Sequence, residues 1–180
     1  MALTVENGTG LSNADAYVSI ADANTYHLKW GNEDWKCATD ANKEIALRKA
    51  TRDIDALYGS LYFTEPNSTT QALLFPRKPF TDNRGRDITA TTIPQQLKDA
   101  VSEYALLVLN GYDPYAYGPE GNEDGSVPFA SASSSVGDAS WSYTFRGSKS
   151  SYDTVLRRVN IILAEILERN PTSIFVKVVR

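Results

Sequence analysis

The run 93–110, IPQQLKDAVSEYALLVLN, constrains the fold more than any other stretch of the chain. Pro94 suits the first turn of a helix, where its missing N–H leaves no hydrogen bond unmade. Leu97, Val101, Tyr104, Ala105 and Val108 recur at three- and four-residue spacing, which is the apolar stripe of an amphipathic helix. Lys98, Asp99, Ser102 and Glu103 fall on the other, polar side. Leu106, Leu107 and Leu109 widen the stripe, so contact is expected on more than one side. Gly111 stands where a helix turns left-handed and stops. The spacing predicts a central core helix over 94–110.

Three further helices read from the same periodicity. Ser19 is an N-cap candidate with Asp22 in the first turn, and a short helix is expected over about 20–30, ended by Gly31. Thr39 is a second N-cap. After it Ile45, Leu47, Ala50, Ile54, Leu57 and Tyr58 predict a helix over 40–58, closed by Gly59. Lys43, Arg48, Lys49 and Arg52 mix with Glu44, Asp53 and Asp55 on its polar side, the pattern of a solvated face. Tyr152, Val155, Leu156, Val159, Ile162, Leu163, Ile166 and Leu167 predict a last helix over 152–169, stopped by Pro171. Leu97, Val101, Tyr104 and Val108 are expected to be buried against Leu47, Ile54, Val159 and Leu163.

Between these helices the rhythm changes. Leu3, Val5 and Tyr17 alternate with polar neighbours and suggest short extended pieces near the start. Residues 60–92 read as an ordered connector pinned by Leu73, Leu74, Phe75 and Phe80, with a turn at Asp82-Asn83-Arg84-Gly85. Residues 112–150 read as a long exposed arm with prolines, an acidic patch at 120–124 and the serine run 131–135. Within it Trp141, Tyr143 and Phe145 alternate with Ser140, Ser142 and Thr144, which predicts one strand. In the tail 171–180, Ile174, Val176 and Val178 alternate with Phe175, Lys177 and Val179 before Arg180. The expected fold is mainly α: one domain over 1–180, a four-helix core, a small β element, the arm and an extended tail.

Composition narrows the chemistry. A chain of 180 residues with 42% hydrophobic and 22% charged residues has material for a core without staples. One cysteine, Cys37, excludes an internal disulfide and a multi-cysteine zinc site, and one histidine, His27, excludes a two-histidine metal pair. The start, MALTVENGTGL, has neither the basic patch nor the apolar run of a signal peptide, and no stretch reaches membrane-spanning length. Folding in a cytoplasm is expected. A net charge of −4 argues mildly against a protein that wraps nucleic acid. No Gly-rich phosphate loop, nucleophile elbow or calcium loop is visible. His27 reads as a partly packed surface residue and Cys37 as an incidental thiol. An enzyme is not expected, nor a cofactor or a metal.

The order of motifs LTVENGTGLSNADAYVSIADANTY, KEIALRKATRDIDALYG, QALLFPRKPF and IPQQLKDAVSEYALLVL, followed by a late helix, resembles a family of tailed-phage proteins. Members are labelled DnaT-like single-stranded DNA-binding proteins, and the likeness extends to the small helical head-to-tail adaptors below the portal. It covers residues 1–110 closely and 136–168 more loosely. The adaptor likeness implies a structural virion protein at the head–tail junction. Its copies would form a dodecameric ring that meets the portal and a tail or nozzle protein, with DNA passing through the lumen without tight binding. The alternative is a single-stranded DNA-binding module of replication or packaging, which would want a basic groove with stacking aromatics. Partner contacts are expected at Trp141, Tyr143 and Phe145 of the arm, and at Ile174, Phe175, Val176, Lys177, Val178 and Arg180 of the tail.

Overall fold

A computed structural model describes residues 2–113, 131–136, 139–144 and 151–168. Its elements are α1 (Ile20–Trp30), α2 (Glu33–Cys37), α3 (Asp40–Tyr58), a 3₁₀ turn (Gly59–Leu61), β1 (Phe80–Thr81), β2 (Asp87–Ile88), α4 (Gln95–Leu109), β3 (Ser131–Val136), β4 (Ala139–Thr144) and α5 (Ser151–Leu163). The fold is mainly α, as the periodicity predicts. No described helix is long and apolar enough to cross a membrane.

Helix α4 is the centre, with α3 against one side and α5 against another. Leu97, Val101 and Tyr104 are fully buried together with Leu47, Ile54, Val159 and Leu163, while Val108 is partly covered. The two-sided contact explains why the apolar stripe is so wide. It also corrects the polar side: Ser102 and Glu103 are buried. Ser102 is tolerated there because its hydroxyl donates back to the Lys98 carbonyl at 2.9 Å. Glu103 is tolerated because it accepts from the Tyr26 hydroxyl at 2.9 Å and pairs with Arg158 at 3.4 Å. Lys43 and Asp53 of α3 are likewise buried, not solvated.

The caps follow the sequence. Ser19 accepts from the Asp22 N–H at 3.1 Å and Thr39 from the Asn42 N–H at 3.3 Å. Gly111 has φ +88°, and the N–H groups of Gly111 and Tyr112 take the carbonyls of Val108 and Leu107. Gly59 departs from expectation: it stays right-handed and feeds the 3₁₀ turn.

Helix α2 went unpredicted, since five residues are too few to display a period. It carries Trp35 into the core, where the indole donates to Asn24 at 2.9 Å and faces His27 at 4.4 Å. His27 is therefore buried, a correction to the surface reading, with its Nδ1 accepting from Asn32 at 2.9 Å. Burial pushes its pKa down to about 4 from an ordinary 6.5. A depressed folded-state pKa means the unfolded chain takes up the proton first. The resulting stability is complete above pH 6.5 and is lost as pH falls toward 4, by about 3 kcal/mol. Asp55, pushed up to about 6 by burial, works in the opposite sense over the same window. Denaturant unfolding of wild type and His27→Gln at pH 7 and pH 4.5 (a choice within about 2 units of the ordinary value) isolates the histidine. Wild type is expected to lose more stability than the variant, and parallel losses would refute the assignment.

The β content differs from the single predicted strand. Strand β4 spans Ala139–Thr144, so Phe145 lies outside the described residues. The serine run, read as loop, is its antiparallel partner β3, with Trp141 opposite Ser134 and Tyr143 opposite Ala132. The Asp82–Gly85 turn closes the short β1–β2 ladder, in which Phe80 pairs with Ile88. Helix α5 ends at Leu163, short of the expected 169. Beyond it Leu167 bridges Tyr62, and the Glu168 N–H reaches the Leu61 carbonyl at 2.7 Å. Backbone pairing with the 3₁₀ turn thus replaces the last helical turn.

Candidate functional site

The connector motif QALLFPRKPF is a structural anchor. Tyr17 donates its hydroxyl to Asp55 at 2.8 Å, Leu74 N–H donates to Asp55 at 3.0 Å, and Phe75 N–H donates to the Tyr17 oxygen at 3.0 Å. Arg77 donates to the carbonyls of Phe63, Thr64 and Leu74 and lies over the rings of Tyr62 and Phe75. These polar groups bond to one another, which ties the connector to α3. No group of His, Cys, Asp and Glu able to hold a metal occurs among the described residues. Cys37 is exposed at the end of α2.

Charge on the described surface is largely internally neutralised. Lys36 pairs with Glu33, Lys43 with Asp40, Arg52 with Asp53 and Lys78 with Glu65. Arg48 pairs with Asp15 and Glu44, Arg86 with Asp82 and Glu165, Arg84 with Glu165, and Arg158 with Glu103. Of the α3 cations, Arg48 and Arg52 thus already face acids.

One concave feature among the described residues is a groove of about 600 Å³ between α1 and α4, reached also by Ile162 of α5. Tyr26, Lys29 and Trp30 of α1 face Gln95, Lys98 and Asp99 of α4 across it. Trp30 is 65% exposed at its rim, with the Tyr26 ring tilted against it at 6.3 Å. The neighbouring Leu28 is 76% exposed and Ile161 of α5 is 67% exposed. The sequence missed the groove because its residues come from two helices far apart in the chain.

Of the predicted contact residues, Trp141 and Tyr143 stand on β4, two residues apart and so on one face of the pleat. Register puts Ala132, Ser134, Val136 and Ala139 on that face, and Ser131, Ser133, Ser135, Ser140, Ser142 and Thr144 on the other. The sheet has two strands, so both outer edges lack a strand partner among the described residues. Ile174, Phe175, Val176, Lys177, Val178 and Arg180 lie outside the described residues.

A family model described as "Putative DnaT-like ssDNA binding protein" matches residues 1–180. No curated protein matches the chain, and no solved structure matches it.

Proposed function

The chain belongs to this family of DnaT-like proteins, and we propose, on its surface chemistry and not on the family's description, that it is a structural head-to-tail adaptor of a tailed-phage virion. Its copies form a ring that joins the portal to a tail or nozzle protein, and DNA passes through without being gripped. The observation that carries this reading is the β3–β4 hairpin. It is inserted in the chain between α4 and α5, which pack on each other, its two edges have no strand partner among the described residues, and its strand β4 carries Trp141 and Tyr143. A lone two-stranded hairpin is marginal in water, and aromatic positions are enriched at interface centres. Exposed Leu28, Trp30 and Ile161 supply further apolar contact area on the helical body. The paired cations suit a lumen that lets phosphate slide. Lys177 and Arg180 of the tail then meet acidic groups on the portal, with Ile174, Phe175, Val176 and Val178 filling pockets along an added strand.

The second reading, a single-stranded DNA-binding module, is favoured by the family's description and by the two aromatics and two lysines of the α1–α4 groove. Electron microscopy of the purified protein with and without portal, beside oligothymidine binding at about 50 and 200 mM salt, separates the two. Rings on the portal with no sub-micromolar DNA affinity at the higher salt are expected. Tight, salt-steep DNA binding without rings would replace the adaptor by the DNA-binding module. Deleting residues 171–180 is expected to leave a folded protein that no longer attaches to portal-bearing capsids, and unchanged attachment would remove the tail from the contact.

A further inference from the structure

The groove between α1 and α4 carries no net charge, since Asp22 and Asp99 balance Lys29 and Lys98. Such a surface selects neither an acidic nor a basic partner, but the order of its charges along α1 suits a copy of itself. Asp22, Thr25, Tyr26 and Lys29 follow one another at i, i+3, i+4 and i+7, so they share one face of the helix. Asp22 stands near one end of that face and Lys29 near the other, about 10 Å apart along the axis. Turned end for end, the face sets a lysine where the aspartate was. Two α1 helices laid antiparallel therefore bring Asp22 of each to Lys29 of the other, with positions 25 and 26 at the twofold axis.

Neither charge is committed elsewhere. Asp22 and Lys29 enter no ion pair among the described residues, and the Asp22 carboxylate accepts a neutral bond from the Ser19 hydroxyl at 2.8 Å. The residue at the axis also permits close approach. Thr25 is small and exposed, and its hydroxyl donates back to the Ala21 carbonyl at 2.9 Å, so a second backbone can cover it without stranding a donor. Ala21 and Leu28 make a neighbouring row, again seven residues apart, in which Leu28 is 76% exposed.

We infer that this chain forms a twofold homodimer through α1, in which Asp22 of each copy pairs with Lys29 of the other at the mouth of the α1–α4 groove. The reversal sets the large Leu28 of each copy against the small Ala21 of the other. It also carries the exposed Trp30 to the Asp22 end of the other copy's groove, where the indole shields the ion pair from water and so strengthens it. The dimer is a state of the free protein; it goes beyond the adaptor reading and does not depend on it.

Sedimentation equilibrium of the full chain tests this. Wild type is expected to dimerise with a dissociation constant of about 1–100 μM, as suits a small interface. Asp22→Lys and Lys29→Asp are each expected to weaken the dimer at least about tenfold, because like charges then meet at both ends of the contact. Mixed in equal amounts, the two variants are expected to form a heterodimer of wild-type strength, since each lysine of one copy then faces an aspartate of the other. Neither a contact within one copy nor a misfolded variant can produce that rescue. A second variant leaves both charges in place. Thr25→Cys in a Cys37→Ser background is expected to form a disulfide-linked dimer on oxidation, because the axis brings the two Cα atoms within about 4–7 Å, whereas Ser60→Cys in that background stays monomeric on a non-reducing gel. Wild type still monomeric at about 1 mM would overturn the inference. So would an assembly that neither charge reversal weakens, a mixture that is not rescued, or no disulfide at position 25.

Discussion

Leu163→Ala is expected to destabilise the protein by about 2–4 kcal/mol, lowering the midpoint of thermal unfolding by roughly 5–15 °C. Leu163 is fully buried on α5, in the same cluster as Val101 and Tyr104 of α4 and Ile54 of α3. Removing its isobutyl group leaves a cavity bordered by helices that are pinned elsewhere and cannot close over it. On one side Asn83 donates to the carbonyls of Ala164 and Leu167, and on the other Arg86 and Gln96 hold Glu165. Val101→Ala, at the centre of α4, should cost a similar amount for the same reason. Calorimetry of the purified variants measures both. Ile161→Ala is the control: two residues away, on the opposite side of α5 and exposed, it should change stability by less than about 0.5 kcal/mol. Equal losses at Ile161 and Leu163 would mean that α5 does not pack in this orientation.

How far the sequence carries is clearest at α4 and at His27. The α4 stripe is legible because one period repeats over four turns, and capping residues mark both ends. The burial of Glu103 on the same helix is not legible, because its partners Tyr26 and Arg158 come from α1 and α5. Periodicity reports which face of a helix is apolar, but not whether a polar position has been supplied with a partner from afar. His27 fails for the same reason: its burial depends on Trp35 of a helix too short to announce itself. The serine run of β3 reads as a loop because serine is a weak strand former, and only pairing with Trp141 and Tyr143 across the hairpin makes it a strand. The α1–α4 groove is illegible in principle, since Lys29 and Lys98 lie far apart in the chain. Arm and tail residues were selected for aromatic and β-branched alternation, a local signal, and the structure places Trp141 and Tyr143 on one strand face as that alternation requires.

Gly8→Ala is expected to cost about 3 kcal/mol or more, whereas Gly10→Ala two residues later should cost about 1 kcal/mol. Both glycines have positive φ, +96° and +76°, so both substitutions carry the backbone penalty of a left-handed L-residue. What separates them is space. A Cβ at Gly8 would sit 2.0 Å from the carbonyl oxygen of Thr91, whereas at Gly10 the nearest atoms belong to the Gln71 side chain at 3.4 Å. Retreat from Thr91 is blocked by the buried carboxylate of Glu6, which accepts from the N–H groups of Gly8, Gly10 and Leu11 at 2.8–2.9 Å. Three bonds to one charged acceptor make the loop 6–11 rigid, since each is stronger than a neutral bond and breaking them strands a buried charge. Leu11 extends the clamp by accepting from Ala72 N–H at 2.9 Å, and Val5 bridges Ala16 ahead of α1. The opening ENGTGL motif therefore fastens the chain start to the connector and to the turn that launches α4. Urea unfolding of the two variants checks this. A Gly8→Ala loss no larger than that of Gly10→Ala would show that the loop yields and that Glu6 does not hold it against Thr91.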